Sequence, residues 1–403
     1  MEYRRDQSSG DADATSRASG WNSNNAFALL PDGDNTTEGY AEVSVPLLKD
    51  SPVGKSLTID GAIRYTHTTK TGGATTWKVG AVYELNDSLM LRATQSRDIR
   101  APSALELSPL SNTVNLPVND PVPATAGTFY VNLTTGGNPN LDPERANTTT
   151  IGAVFKPTFL PGFHLSVDYY NIRVKGAIAI LTGQQTINVC TAGQTAACPF
   201  IIRSQAGLIT QVISTYQNLS QLHSEGLEIV SDYTLDLSSS LGGKLNFLAN
   251  ATYTIELTTT DASGFKTRYA GWTGNPGTVQ SVFGVPKWRV DGLVTYSTDR
   301  WSLSAHGRYV GSGVYDPTKI GPEQAGYSLY LKNSNNYNRV ESRLYWDLTA
   351  SINLVETDQR KIQLFGSVYN LFDKDPPFLR LYGNPVLFDA IGRSYRVGIR
   401  ATL

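Results

Sequence analysis

Apolar and polar residues alternate over stretches of about ten residues, and such stretches recur along the whole chain of 403 residues. A period of two is typical of β-strands that present one apolar face, because successive side chains of a strand point to opposite sides of a sheet. In LTIDGAIRY, for example, Leu57, Ile59 and Ile63 share one face, whereas Asp60 and Arg64 share the other. The pattern predicts an all-β protein.

About fourteen segments carry this pattern and are predicted to be strands. They are residues 1–6, 38–49, 56–68, 74–86, 88–98, 147–157, 162–174, 222–236, 243–256, 285–298, 301–311, 341–354, 361–371 and 393–403. Because they cover the full length of the chain, a single large sheet is favoured over several separate domains.

The connections between these strands are alternately short and long. The short ones are 50–55, 86–87, 158–161, 237–242, 299–300 and 355–360, and the long ones include 99–146, 175–221, 257–284, 312–340 and 372–392. Only the 69–73 turn is short where a long connection is expected. Membrane barrels have short turns at one end and long loops at the other, whereas soluble sandwiches and propellers distribute long loops less regularly. The chain is therefore predicted to be an antiparallel transmembrane β-barrel.

The spacing of aromatic residues also fits a membrane. Trp288 and Tyr296 lie eight positions apart on one face of a predicted strand, and Trp301 and Tyr309 repeat this spacing on the next. Eight residues of a tilted strand rise roughly 20 Å, which is close to the apolar band of about 25 Å in such barrels. Each strand thus has an aromatic residue at both borders of the band, and the alternative is a chance pairing in a soluble sheet.

The opposite face of the predicted strands is charged. Burying so many charges in a dry core would cost too much free energy, so these residues are expected to line a wet or plugged lumen. They are Asp60, Arg64, Lys78, Glu84, Arg92, Asp168, Glu228, Asp232, Lys244, Arg289, Asp291, His306, Arg308, Asp347 and Arg400.

Other classes of protein are disfavoured by what the sequence contains. No stretch approaches the roughly 18–20 consecutive apolar residues of a membrane helix, and the start, MEYRRDQSSGDADATSRASG, does not resemble an export signal. The net charge of −1 offers no basic surface, so nucleic-acid binding is not expected.

No catalytic or metal-binding arrangement is recognised either. The four His residues lie on separate strands or loops without the spacing of metal ligands, and no Gly-x-Ser-x-Gly turn frames a nucleophile. They are His67, His164, His223 and His306. We therefore expect no enzyme, no metal and no cofactor.

The two cysteines, Cys190 and Cys198, lie close together in a region that otherwise looks like a loop. A single pair with no cysteine left over favours a local disulfide in an oxidising compartment such as the periplasm or the cell surface. Two unrelated free thiols are the alternative, and a metal site is disfavoured because no His lies beside them.

Six segments resemble, in the right order, the signature segments of TonB-dependent receptors. These receptors are plugged outer-membrane transporters, usually built on about twenty-two strands. The segments are SRDIRAPSALELSP at 96–109, GNPNLDPERANTTTIG at 137–152, SEGLEIVSDY at 224–233, VPKWRVDGLVTY at 285–296, SVYNLFDKDPPF at 367–378 and GRSYRVGIRATL at 392–403.

The resemblance implies that residues 1–403 are part of one receptor β-barrel domain, corresponding to about the last fourteen of its twenty-two strands. No signal peptide, TonB box, plug domain or first group of strands is recognised. Barrels of the outer membrane commonly end on an aromatic residue, whereas this chain ends on Leu403, which puts the efficiency of assembly in doubt.

The resemblance also implies a function and partners. It implies a receptor in the lipid of the bacterial outer membrane that takes up siderophore-bound iron, cobalamin or an oligosaccharide through its extracellular loops. In the family, the TonB–ExbB–ExbD complex drives uptake by pulling on the plug, so this partner is expected only for a full-length protein.

Ligand contacts are expected from aromatic and hydrogen-bonding residues of the long loops, because such groups suit a sugar ring or a chelated iron equally well. The candidates are Tyr269, Trp272, Tyr327, Tyr330, Arg380, Tyr382 and Asn384. Arg97 and Arg100 could clamp an anion, but a structural role at the strand end is favoured because their motif occurs in receptors with different ligands.

Two other functions stay open at this point. The first is a secreted, soluble β-rich protein that binds carbohydrate or acts as an adhesin, and it would be recovered as a stable monomer from aqueous buffer. The second is a membrane-embedded lipase or acyltransferase, which would act on lipid in detergent.

Overall fold

The computed structural model describes residues 1–10, 13–18, 29–108, 111–191, 193, 195–239, 242–260, 264, 266–274, 284–357, 360–377 and 387–402. Within these residues, no helix has both the length and the apolar character needed to span a membrane. The helices are α1 (Ala14–Arg17), α2 (Ala104–Leu107) and α3 (Gly183–Thr191), with one 3-10 helix, η1 (Thr195–Phe200).

Strands make up most of the described chain. In chain order they are β1 (Glu2–Gly10), β2 (Leu29–Ser51), β3 (Gly54–Thr68), β4 (Gly72–Glu84), β5 (Leu89–Arg100), β6 (Ser111–Asp120), β7 (Gly127–Gly136), β8 (Glu144–Phe155), β9 (Phe163–Ile180), β10 (Ile201–Arg203), β11 (Ile209–Asp236), β12 (Lys244–Thr260), β13 (Lys266–Arg268), β14 (Trp288–Ser297), β15 (Trp301–Val310), β16 (Gly313–Val314), β17 (Arg339–Val340), β18 (Arg343–Glu356), β19 (Lys361–Tyr369) and β20 (Ser394–Thr402).

Fourteen of these strands form one antiparallel meander, which we call the wall. Its order is β1, β2, β3, β4, β5, β8, β9, β11, β12, β14, β15, β18, β19 and β20. Each wall strand coincides with one of the predicted segments, so the predicted all-β, antiparallel fold of barrel type is confirmed. No pairing of β1 with β20 is found within the described residues.

Several wall strands are longer than the alternation predicted. The segment predicted at 38–49 is part of β2, which spans Leu29–Ser51, and the one predicted at 222–236 is part of β11, which begins at Ile209. The extra residues lie at the end with the long connections. Backbone pairing continues there without a strict apolar face, so the period of two no longer marks the strand.

The connections have the predicted asymmetry. At one end of the wall the strands are joined by 52–53, 85–88, 156–162, 237–243, 298–300 and 357–360, and at the other end by 11–28, 69–71, 101–143, 181–208, 261–287, 311–342 and 370–393. Only 69–71 is short at the second end, as the sequence indicated. In a membrane barrel the end with long connections is the extracellular one.

The two faces of the wall differ in polarity as predicted. The outer face presents large apolar side chains to the surroundings, with Ile63, Ile151 and Val397 exposed by 54%, 56% and 77%. The inner face is ionic, and Arg92 of β5 bonds Asp168 of β9 there at 2.6 Å. A soluble sheet would hide the first set of residues, whereas a wall between lipid and a polar lumen exposes it.

Aromatic pairs lie at both borders of the outer face. Tyr253 of β12 packs on Trp288 of β14, with ring centroids 4.6 Å apart. Tyr296, eight residues after Trp288 on β14, packs on Trp301 of β15 with ring centroids 5.1 Å apart. Trp and Tyr are favoured at membrane interfaces, where one end of the side chain is apolar and the other is wet. The two pairs therefore mark the limits of the apolar band.

Two of the long connections fold together into a second small sheet, which we call the cap (residues 111–136 and 183–215). Strand β6 pairs with β7, β7 runs parallel to the start of β11, and β10 covers the other side of β11. The prediction that 99–146 and 175–221 are loops is wrong for these parts. Helix α3 lies on the sheet, and Val131, Ile187 and Val212 form its dry core.

Candidate ligand-binding site

A cavity of about 600 Å³ opens on the inner face of the wall, at the end with the long connections. It lies between the first three strands and the connection that follows β5. Its charged lining residues include Arg4, Asp6, Asp34, Glu38, Arg64 and Asp98. Since both signs of charge are present, the cavity suits a polar ligand that offers both donors and acceptors.

Strand alternation directs these side chains into the cavity. Arg64 lies on β3 next to the exposed Ile63 and therefore points to the opposite face. Its guanidinium donates to Glu38 Oε2 at 3.3 Å, and Thr66 donates to Glu38 Oε1 at 2.8 Å. The neighbouring Arg4 donates to Asp6 at 2.8 Å. Hydrogen bonds within β1 and between β2 and β3 therefore hold the lining.

Helix α2 forms one side of the cavity, and its position is fixed by a capping box. Ser103 accepts a hydrogen bond from the backbone of Glu106, and the Glu106 carboxylate accepts one from the Ser103 backbone. Arg100 donates to Glu106 at 2.9 Å and to Glu144 at 2.7 Å. Arg100 thus ties the end of β5 to α2 and β8, which agrees with the predicted structural role.

Deeper in the lumen, an ion pair crosses a whole strand. Arg92 and Asp168 lie on β5 and β9, and Gly152 of β8 lies between them in register. A Cβ at Gly152 would come within 1.9 Å of Asp168 Oδ1. The glycine therefore leaves the space in which the two charged side chains meet.

The predicted contact residues Tyr269 and Trp272 are both buried. They are exposed by 5% and 8%, and their rings stack at 5.6 Å. Trp272 Nε1 donates to the backbone oxygen of Tyr315 at 2.8 Å. In this structure they pack the extracellular connections against one another, and ligand contact by them stays a prediction.

The other predicted residues differ in accessibility. Tyr330 is 95% exposed at the tip of the connection between β15 and β18. Tyr327, in the same connection, is half-buried and donates to Asn336 Oδ1 at 2.6 Å. Arg380, Tyr382 and Asn384 lie outside the described residues. Tyr330 is the candidate with a free aromatic ring at the extracellular end, and its role also stays a prediction.

The cap contains the predicted disulfide. Cys190 at the end of α3 is bonded to Cys198 in η1, so the expectation from the cysteine pair agrees with the structure. The bond closes the turn between the two helices that pack on the cap sheet.

The cap also contains a buried ion pair. The Asp120 carboxylate is fully buried and receives two hydrogen bonds from Arg203, at 2.5 and 3.2 Å. Thr125 donates to it at 2.7 Å. Hydrogen bonds from Arg203 outweigh desolvation and lower the pKa of Asp120 from 3.8 to about 2. The carboxylate is therefore charged over the whole physiological range.

Sequence reasoning named Arg64 as facing the lumen but did not recognise the cavity around it. Its other walls come from residues far apart in sequence, such as Arg4, Glu38 and Asp98, which strand order brings together. The alternation in the sequence predicts which side chains point into the lumen. It does not predict how far along the lumen each side chain lies or which side chains of other strands are next to it.

Comparison with known proteins gives one family. The family model described as "TonB dependent receptor-like, beta-barrel" matches residues 1–371. Comparison with curated protein sequences finds no significant match.

By their titles, solved structures with a similar fold are siderophore receptors, a ferric enterobactin receptor and an iron transporter. The siderophore receptor PirA from Acinetobacter baumannii is 16% identical, with a TM-score of 0.59 and coverage of 92% of this chain and 46% of its own. A mutant of the ferric enterobactin receptor from Pseudomonas aeruginosa is 18% identical, with a TM-score of 0.58 and coverage of 92% and 45%. The FrpB iron transporter from Neisseria meningitidis is 15% identical, with a TM-score of 0.51 and coverage of 92% and 45%. The chain thus spans less than half the length of these proteins.

Proposed function

Since this chain belongs to the TonB-dependent receptor-like β-barrel family, we propose that it is the ligand-binding wall of a receptor that imports a nutrient. Proteins of the family lie in the outer membrane of Gram-negative bacteria, and the predicted location is confirmed by this membership. Receptors are not enzymes, so the expectation that the chain is no enzyme is also confirmed. The soluble adhesin and the membrane enzyme are therefore not retained.

One observation carries the proposal. The cavity of about 600 Å³ and the bulky connections lie at the same end of a wall whose inner face is ionic and whose outer face is apolar. A polar ligand captured at that end enters a polar lumen and never meets lipid. We propose that residues 1–403 are one barrel domain of a longer receptor and that the rest of the barrel and a plug complete the lumen.

The proposed cargo is siderophore-bound iron. The titles of the similar structures name siderophore and ferric enterobactin receptors, and a cavity lined with both signs of charge suits a polar chelate that carries its own donors and acceptors. Cobalamin and oligosaccharides are the competing cargoes and are outcomes of the test below.

The test measures ligand binding to residues 1–403 purified in detergent. Binding is detected as quenching of the fluorescence of the six tryptophans. The probes are a ferric catecholate, a ferric hydroxamate, the iron-free form of each, cobalamin and a malto-oligosaccharide. We expect saturable quenching by one ferric chelate and none by its iron-free form. Saturation by cobalamin or the sugar alone would contradict the proposed cargo, and saturation by no probe would contradict the binding role.

Variants on β3 locate the site. Arg64→Gln removes a charged donor from the cavity, and we expect the affinity to fall about tenfold, because a hydrogen bond to a charged group contributes about 1.5–3 kcal/mol. Ile63→Val, one residue away on the outer face, is the matched control and should bind as the parent does. Equal loss in both variants would show that the cavity is not the binding site.

Energised uptake is expected to need more than these residues. In the family, energy from the TonB–ExbB–ExbD complex reaches the ligand through the plug, so cells expressing residues 1–403 alone should show no TonB-dependent uptake of the ferric chelate. Uptake that disappears in a strain lacking TonB would contradict this expectation.

A further inference from the structure

Three metal-binding side chains come together on the outer face of the wall. His223 and Glu225 lie two residues apart on β11, and Glu256 lies beside them on β12. Each residue offers one ligand atom, and the three atoms lie within 4.8 Å of one another. The side chains are exposed by only 22%, 22% and 26%. We call this group the β11–β12 cluster.

The cluster lies just beyond the apolar band. Glu225 and Leu227 share the outer face of β11, and Leu227 pairs with Tyr253, whose ring packs on Trp288 at the extracellular border. Glu225 and Glu256 lie beyond Leu227 and Tyr253 in the direction of the long connections, and a strand rises about 3.3 Å per residue. The cluster is therefore outside the lumen and separate from the cavity.

A β-bulge creates the cluster. The register between β11 and β12 shifts between Glu225 and Gly226, so that Glu225 pairs with Glu256 and Gly226 with Thr254. Without the extra residue, alternation from Tyr253 would turn Glu256 to the inner face. Bulges commonly redirect one side chain at a functional position.

The bulge places two carboxylates directly opposite each other, and like charges in this position destabilise an antiparallel pair. The His223 ring lies between them. Its Nδ1 lies 3.6 Å from Glu256 Oε1 and its Nε2 lies 3.5 Å from Glu225 Oε2. Nε2 is buried and makes no hydrogen bond within the described part of the chain. The imidazole ring thus lies between two carboxylates, and one of its nitrogens makes no hydrogen bond to either.

From this arrangement we infer that the β11–β12 cluster binds a divalent cation of the Zn²⁺ type. Histidine nitrogen and carboxylate oxygen are both ligands of Zn²⁺ in proteins, and two carboxylates balance the charge of the ion. Cations such as Ca²⁺ prefer six to eight oxygen ligands, which the cluster does not provide. The Tyr169 hydroxyl donates to Glu225 at 2.9 Å and orients that carboxylate.

Lys266 competes with a bound cation for the carboxylate of Glu256. It bonds Glu256 in the described structure. The spacing of the ligands does not reveal the site. They are a His-x-Glu pair and a glutamate 31 residues further on, which only the bulge turns to the same face.

A second histidine, His306, also lies between two carboxylates, on the inner face of the wall. His306 lies 3.6 Å from Asp291 and 3.4 Å from Asp347, but Arg308 lies 3.3 Å from the same Asp347 oxygen. The other oxygen of Asp347 accepts a hydrogen bond from the backbone of Asn370 at 2.8 Å, so both oxygens of this carboxylate are already engaged. The His306 group is therefore a matched control that should not bind the cation.

The experiment titrates the detergent-purified chain of residues 1–403 with ZnCl2 and CoCl2 by calorimetry, and with CoCl2 by visible absorption. We expect one Zn²⁺ per chain, and Co²⁺ bands whose intensity reports four-coordination. His223→Gln and Glu225→Gln should each weaken binding by at least about tenfold. Glu228→Gln on the inner face of the same strand and His306→Gln should bind as the parent does. Lys266→Met should bind Zn²⁺ at least as tightly as the parent.

Other outcomes would overturn the inference. They are the absence of saturable Zn²⁺ binding, equal affinity for Ca²⁺, equal loss in the Glu228→Gln control, or binding that requires Lys266. Circular dichroism verifies that each variant keeps the strand content of the wall. Because the cluster is outside the lumen, ferric-chelate binding should not change in His223→Gln, so failure of this inference leaves the proposed function untouched.

Discussion

The wall and the cap place their apolar side chains in opposite ways. In the wall, large apolar side chains are exposed and charged ones face inward, and Ile63 and Arg64 on β3 are adjacent examples. In the cap, Val131 and Ile187 are almost completely buried and a disulfide joins two helices. The wall has a polarity that suits lipid outside and water inside, whereas the cap has the polarity of a small protein in water.

The comparison shows that the solvent around each part decides what holds it together. Backbone pairing between neighbouring strands holds the wall, because lipid offers no hydrogen bonds to a free backbone group. The cap is too small for a large core, and small domains commonly rely on disulfides and buried polar contacts. Substitutions should therefore have different effects in the two parts.

The largest effect is expected on the lipid face of the wall. Ile59→Arg places a charge near the middle of β3, and an Arg at the midplane of a membrane barrel costs about 2–4 kcal/mol. Thr58→Arg, one residue away, faces the lumen and should cost less than about 1 kcal/mol. The measurement is urea unfolding in lipid vesicles followed by tryptophan fluorescence. Equal costs for both variants would break the distinction between the two faces.

A smaller effect is expected for the cap disulfide. The bond between Cys190 and Cys198 closes a loop with a sequence separation of 8, and the loop-entropy relation gives about 2.5 kcal/mol for such a loop. In Cys190→Ser/Cys198→Ser, we expect faster proteolysis of the cap while the wall keeps its resistance to the protease. Loss of both together would show that the cap and the wall unfold as one unit.

The smallest effect is expected on acidification of the cap. The pKa of Asp120 is lowered from 3.8 to about 2, so its contribution is complete above pH 4 and is lost as the pH falls toward 2. The shift corresponds to about 2 kcal/mol. Hydrogen exchange of 111–136 should therefore accelerate between pH 4 and pH 2, after correction for the intrinsic rate.

Asp120→Asn is the control for the acid effect. It removes the charge that binds Arg203 at every pH, so the cap should already exchange faster at pH 7 and should lose the acid dependence between pH 4 and pH 2. An unchanged acid dependence in this variant would assign the effect to another carboxylate.

Much of the wall could be predicted from sequence because lipid imposes alternation on each strand separately. The segments around Ile59 and Tyr253 show that pattern within about ten residues, with no information about neighbours. Strand order then followed from the short turns, since consecutive antiparallel strands pair.

The cap and the candidate site depended on contacts that the pattern does not contain. NTVNLPVND and TFYVNLTTG do alternate, with Val114, Leu116 and Val118 in one and Phe129, Val131 and Leu133 in the other. Because they lie inside a long connection, that signal was outweighed by the expectation of a loop. Burial of Tyr269 and Trp272 was equally hidden, since aromatic residues look alike whether they bind a ligand or pack a loop.

Strand β11 belongs to both regions, and this has a mechanical consequence. Residues 211–215 pair with β7 in the cap, and from Tyr216 onward the strand pairs with β9 in the wall. One continuous strand therefore joins the cap to the wall, so the cap is not attached through a flexible linker. The pairing of β11 with β9 is irregular only between Asn218 and Gln221, so a movement of the cap relative to the wall would have to bend the strand at that point.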